Sequence, residues 1–310
     1  MPMMPVKHAV GERLSEVPFW GEPRPVPKGL VVHQGLMFTN TKPRTRDEVD
    51  LLYVHDNAGP GNPTTYFEKV KRFGVHWFIE LDGRVWFHGD AGHALVHGGR
   101  YNRRSVAIEL RNGSRVNNAH PLQRQYIKTR FAGRMLLYTD AQIYAFDALV
   151  RWLLMELPEI PLKWPGAKED GTMRYHRFGR HGGGVAAHHY DSSHADGSLA
   201  VAVAKYAIED GLSVDEAWAK VKTEASIDGK VMTVGGELAF RPLGPQTAPK
   251  ELRNNQTPVL TAPVVLDEPP PPPAPVVLGN FAGELVAWWA SGAAVGRSAQ
   301  NINFFPRKTR

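Results

Sequence analysis

Cysteine is absent from all 310 positions. Disulfides, thiolate zinc sites and cysteine nucleophiles are therefore excluded, and the chain suits any redox compartment. Long apolar runs are missing too: none reaches the roughly 18 residues that a spanning helix needs. The opening stretch MPMMPVKHAVGERLSEVPFW has no apolar h-region after its basic residues, so no secretory signal peptide is expected. Synthesis in the cytoplasm follows, with delivery or release by another agent if the substrate lies outside. No internal repeat is visible.

What is present supports a folded core. Hydrophobic residues make up 42% and charged residues 22%, which rules out global disorder. The net charge of +6 and pI near 9.4 suit an acidic partner: nucleic acid, anionic lipid or an anionic cell-wall polymer. A mildly basic protein with no such partner fits equally well. No recognition helix or aromatic-basic strand motif supports nucleic acid, so none is expected as partner.

Residues 1–47 are rich in proline and basic residues and read as an N-terminal arm or an irregular lead-in. Periodicity starts at residue 48. The run 50-DLLYVHD-56 has the form of a buried strand. In 75-VHWFIELDGRVWFHG-89 two strand-like runs flank Asp82-Gly83, a hairpin signal. Another strand is expected at 105-SVAIEL-110. A helix is expected over 139–157. Thr139 and Gln142 form a capping box at its start, Ile143, Phe146, Leu149, Val150, Leu153, Leu154 and Leu157 recur at helical spacing, and Pro158 ends it. Further helices are expected over 198–208 and 214–223.

This alternation predicts an α/β or α+β domain over 48–225. A small hairpin around Asp228-Gly229 would fill 226–241, a Pro-rich linker 242–279 with 269-PPPPPAP-275, and an apolar then basic tail 280–310. The tail's 281-FAGELVAWWASGAAV-295 is too short to span a bilayer. It has three readings: contact with an anionic membrane surface, docking on another protein, or packing on the domain.

The stretch 187-AHHYDSSHAD-196 gathers His188, His189, His194 and Asp196. A hydrolytic zinc site needs three protein ligands and an open position for water. Without cysteine, those ligands must be histidine or carboxylate. His55, at the end of its strand, with His188 and Asp196 would give two histidines and one carboxylate. Each histidine alone also reads as a hydrogen-bonded core or loop residue, and among thirteen some cluster by chance.

Five blocks, in order, carry a resemblance. These are 53-YVHDNAG-59, 74-GVHWFIELDGRVW-86, 97-HGGRYNRRSVAIEL-110, 138-YTDAQIYAFDALV-150 and 187-AHHYDSSHAD-196. Together they resemble the zinc-dependent N-acetylmuramoyl-L-alanine amidases, which share a fold with peptidoglycan-recognition proteins and phage lysozyme-type amidases. The resemblance spans roughly 48–210. It implies a mixed central β-sheet flanked by helices, with the Pro-rich C-terminal extension lying outside it. It implies Zn²⁺ held by His55, His188 and Asp196, with His189 the competing choice for the second ligand. Glu109 falls on the glutamate that some members use as general base on the zinc-bound water. His194 falls where many members carry a lysine that polarises the scissile carbonyl or its oxyanion.

Other roles are open. His97 and Asn102, on a loop expected at the cleft border, are candidates for substrate contact. His76 reads as a packing or supporting residue. Arg177 and Arg180, in a cluster with Arg174, His176 and His181, could bind stem-peptide carboxylates or simply be solvated. Three departures stand out. Val75 replaces a tyrosine found in some phage-type members, His194 replaces the lysine, and Gly197 alone remains of a proline-glycine pair. If His194 must be charged, activity should fall at high pH.

The implied activity is hydrolysis of the bond between N-acetylmuramic acid and L-alanine in peptidoglycan. A phage endolysin or related lytic enzyme acting on the wall after release is the leading form. A cytoplasmic muropeptide-recycling amidase and a non-catalytic peptidoglycan-binding module are the alternatives. A monomer is expected, since cleaving a polymer needs one site.

Overall fold

The computed structural model describes residues 10–37, 41–57, 74–112, 119–129, 133–166, 182–188 and 196–234. The segments expected as Pro-rich linker and tail lie outside these residues, as do His189, His194, Arg174, His176, Arg177, Arg180 and His181.

Fourteen strands and three α-helices are described. The strands before residue 48 are β1 (Arg13–Leu14), β2 (Glu16–Phe19), β3 (Glu22–Pro25), β4 (Val32–Gln34) and β5 (Lys42–Pro43). Then come β6 (Leu51–Asp56), β7 (Trp77–Ile79), β8 (Val85–Phe87), β9 (His93–Ala94) and β10 (Ser105–Leu110). β11 (Gln125–Thr129) and β12 (Gly133–Leu136) precede helix α1 (Asp140–Glu156). β13 (Gly184–Ala187), α2 (Ser198–Ile208), α3 (Val214–Glu224) and β14 (Val231–Thr233) complete the order.

The central sheet is mixed, with strand order β1-β4-β8-β7-β10-β6-β13. Its half β7-β10-β6-β13 is parallel throughout, so the carboxyl ends of four strands meet along one edge. β7 and β8 form the antiparallel hairpin anticipated around Asp82-Gly83, with Ile79 opposite Val85.

Side-chain alternation divides the sheet into two faces. Leu52, Val54, Val106, Ile108, Val185 and Ala187 join the main core, where α1, α2 and α3 pack. Each leucine, isoleucine or valine among them contributes on the order of 1.5–3 kcal/mol when fully buried. Leu51, Tyr53, Tyr101 and Ala186 form a separate cluster on the opposite face, and Val75, Phe78 and Ala107 a third.

Helix α1 starts as its sequence dictates: the Thr139 hydroxyl accepts from the Gln142 amide, and the Gln142 side chain accepts from the Thr139 amide. Its stripe of Ile143, Phe146, Leu149, Val150 and Leu153 is wholly buried. Helix α2 is apolar almost all round and touches β6, β13, α1 and α3, as a central helix must.

Two expectations need correction. The described part of the segment 1–47, residues 10–37 and 41–47, is not a detached arm. β4 pairs with β8 inside the central sheet, β1 pairs with β4, and Val17, Phe19 and Val32 are in the core. Prolines at 18, 23 and 25 disguised this region. They sit in the short two-stranded β2–β3 ribbon, where a missing N–H is tolerated. Its turn holds Trp20 at φ 52, and the Asp90 carboxylate accepts from the Trp20 and Gly21 amides at 2.6 and 2.7 Å. Nor does the Asp228-Gly229 turn close a local hairpin among the described residues. It delivers β14 to β11, in a three-stranded sheet of order β12-β11-β14.

Candidate metal centre

Strand register assembles the site. His55 on β6 and Glu109 on β10 are direct partners in adjacent parallel strands, so their side chains leave the same face. That face is the one opposite the helices. β13 runs parallel on the other side of β6, with Ala187 level with Val54, which brings His188 beside His55 just past the strand end. Asp196 arrives from the turn before α2. The fold thus gathers these groups at the carboxyl ends of parallel strands, where open sheets commonly bind ligands.

Ligand atoms of His55, His188 and Asp196 all lie within 4.8 Å of one another. The His55 and His188 rings are 4.7 Å apart. His188 Nδ1 stands 2.6 Å from Asp196 Oδ2, and the other Asp196 oxygen accepts from the Asp56 amide. Two imidazoles and a carboxylate form a donor set suited to a borderline divalent cation such as zinc. The residues present therefore fit a metal.

Burial shapes the charge states. His55 is held well below the usual histidine range, chiefly by loss of solvent, with nearby His188 and His97 adding to the effect against Asp196. A neutral imidazole is the form that ligates. Glu109 is 5% exposed, and burial pushes its carboxyl well above the usual range, reinforced by the negative charges of Asp196 and Asp56. Such a carboxyl holds a proton more readily than a surface glutamate, as a general base near neutral pH requires.

Asp56 supports the centre from the core side. Burial and the neighbouring Asp196 charge raise its pKa. Tyr138 donates to it at 2.5 Å and Asn112 at 3.3 Å. The Tyr138 hydroxyl is itself pushed up by burial and by Asp56.

His97 and Asn102, the loop candidates for substrate contact, are half-buried and engaged in hydrogen bonds. His97 lies between His55 Nε2 and Ser105 Oγ, 3.1 Å from each. The Asn102 side-chain oxygen accepts from the His97 and Gly98 amides at 2.9 and 2.7 Å, closing the turn of its own loop. His76 is fully buried, and its Nδ1 accepts from the Ala107 amide. Its proton is therefore on Nε2, 2.9 Å from the His93 carbonyl.

Sequence reasoning missed Arg44. It is 5% exposed and donates to the carbonyls of Ala91, Asn102, Arg103 and Ser105 at 2.7 to 3.1 Å. Burial pulls its pKa down to about 10. This one side chain ties the His97 loop to β10. It lies within the segment read as an arm and belongs to no motif, so only its type, an arginine amid prolines, gave any signal. Ser105 and Asp56 were inside quoted blocks, but their roles depend on partners distant in sequence.

Against known families, a model described as N-acetylmuramoyl-L-alanine amidase matches residues 24–196, from β3 to Asp196. Comparison with curated proteins gives no match. Among solved structures, the amidase LysC from Clostridium intestinale URNW is similar at 15% identity and a TM-score of 0.35, covering 56% of this chain and 90% of that one. The hydrolase AmiA from Staphylococcus aureus, solved with its ligand, is similar at 15% and 0.36, over 58% and 85%. The Drosophila peptidoglycan recognition protein SA is similar at 14% and 0.33, over 55% and 87%.

Proposed function

The chain belongs to the N-acetylmuramoyl-L-alanine amidase family, and from that membership we propose that it cleaves the amide between N-acetylmuramic acid and L-alanine in peptidoglycan, using zinc. The carrying observation is the His55–His188–Asp196 constellation with buried Glu109 as the register partner of His55.

Zinc, when held by those three residues, would supply a Lewis acid that acidifies water and polarises the scissile carbonyl. Glu109 takes the proton from the attacking water as the new C–O bond forms. The C–N bond then breaks, and Glu109 passes the same proton to the departing L-alanine nitrogen. Burial keeps bulk water from this carboxyl, so its proton goes to the leaving amine. His194 is assigned, from the sequence alone, to donate a hydrogen bond to the oxyanion. Arg177 and Arg180 are assigned in the same way to the stem-peptide carboxylates. The leading biological role is lytic action on the cell wall.

Purified protein incubated with isolated peptidoglycan, with and without chelator, tests the proposal. New N-terminal L-alanine that disappears with chelator, without new reducing ends, is the expected result. Reducing ends, or alanine release that chelator leaves intact, would overturn it. Binding without cleavage would mean a recognition module instead.

A further inference from the structure

The hydrogen bonds around His97 define a chain in which each proton has one permitted position. It begins at the Tyr101 carbonyl, which can only accept. Ser105 Oγ lies 2.7 Å from it, so the serine hydroxyl donates there. Having spent its proton, Ser105 Oγ must accept from His97 Nε2 at 3.1 Å. A neutral imidazole protonated on Nε2 carries its lone pair on Nδ1. His97 Nδ1 therefore accepts from His55 Nε2 at 3.1 Å. With its proton on Nε2, His55 keeps a lone pair on Nδ1.

We propose that His97, oriented by Ser105, is a positioning residue that fixes the tautomer and ring angle of His55, so that His55 presents Nδ1 to the metal. The inference rests on the zinc reading above and gives His97 a role other than substrate contact. Several features hold the chain in place. Ser105 is wholly buried, and its carbonyl accepts from Arg44 at 2.7 Å. Arg44 also grips the Asn102 and Arg103 carbonyls, and the Asn102 side chain fixes the His97 amide. The Tyr53 ring packs edge-on against His55, 4.9 Å away, and lies 6.0 Å from His97. Partners that set the tautomer of a ligating histidine typically change metal affinity about 10–100-fold when removed.

Two measurements test this. The first uses metal-free protein with ¹⁵N-labelled histidine, read by long-range ¹H–¹⁵N correlation. Protonated Nε2 with bare Nδ1 on both His97 and His55 is expected, and the opposite tautomer on either ring overturns the proposal. The second is calorimetric zinc titration of the full chain. His97→Ala should weaken binding about 10–100-fold. His97→Asn, whose side-chain oxygen can stand near the lost Nδ1, should recover part of it, and Ser105→Ala should weaken binding less than His97→Ala. Urea unfolding of each variant confirms that it is folded. Folded His97→Ala that binds zinc as tightly as the parent overturns the inference. A parent that binds no zinc overturns the metal reading instead, while the tautomer measurement still decides the chain of hydrogen bonds.

Discussion

Gly197 offers a stringent test of how Asp196, the third of the proposed ligands, is held. It lies between Asp196 and the first turn of α2, in the left-handed region at φ 73 and ψ −5. A Cβ there would stand 2.8 Å from the Val54 carbonyl carbon, closer still to its oxygen, and 3.1 Å from Val54 Cγ1. Val54 precedes His55 in β6, which is paired on both sides by β10 and β13, so the strand will not yield. The ligand turn must move instead. Ordinary contact begins near 3.4 Å, so the parting is at least about 0.6 Å, several times the ~0.2 Å that a metal site tolerates. Gly197→Ala should therefore weaken zinc binding at least about 100-fold, no less than the loss of an outer partner would. The left-handed backbone adds about 1–2 kcal/mol of destabilisation. Gly211→Ala is the control: its φ is 72 and nothing lies within 4 Å of the added atom. It should show the backbone cost in urea unfolding and leave zinc affinity untouched. Equal zinc affinity in Gly197→Ala and the parent would refute the argument that this contact sets the Asp196 position.

Glu109→Gln should retain zinc by titration yet lower the rate of alanine release about 10²–10⁴-fold. A smaller loss would remove Glu109 as the base. Acid should destabilise the fold through buried His88, whose pKa burial pulls from 6.5 to about 4. The folded state binds its proton less readily than the unfolded chain. Its contribution is thus complete above pH 6.5 and is lost as pH falls towards 4, at most about 3 kcal/mol. Comparing urea midpoints of the parent and His88→Asn between pH 7 and pH 4.5 isolates it; identical slopes would sink the assignment. Arg44→Lys should cost about 3 kcal/mol or more, because one ammonium cannot reach all four carbonyls that the guanidinium serves. Unchanged urea stability would show that the clamp carries little energy.

Local signals in the chain were read correctly where one element suffices to produce them. The Asp82-Gly83 hairpin, the capping box of Thr139 and Gln142 and the apolar stripe of α1 each depend on neighbours a few residues away. The N-terminal strands failed that test. β4 has three residues and gains its stability from β8, more than fifty positions later, so no local pattern marked it. Arg44 was invisible for the same reason, since its four acceptors lie 47 to 61 residues away.

By itself, the sequence determined the ingredients: a cysteine-free chain can offer a metal only histidine and carboxylate, and blocks in family order made His55, His188, Asp196 and Glu109 the candidates. Only the tertiary structure decided which of these share a space and which groups serve them. The register of β6 against β10 and β13 sets His55 beside Glu109 and His188. The loop closed by Asn102 and Arg44 sets His97 against His55, a contact that no local pattern marked. Strand register and tautomer depend on hydrogen bonds between residues far apart in the chain, and those exist only once the sheet has formed.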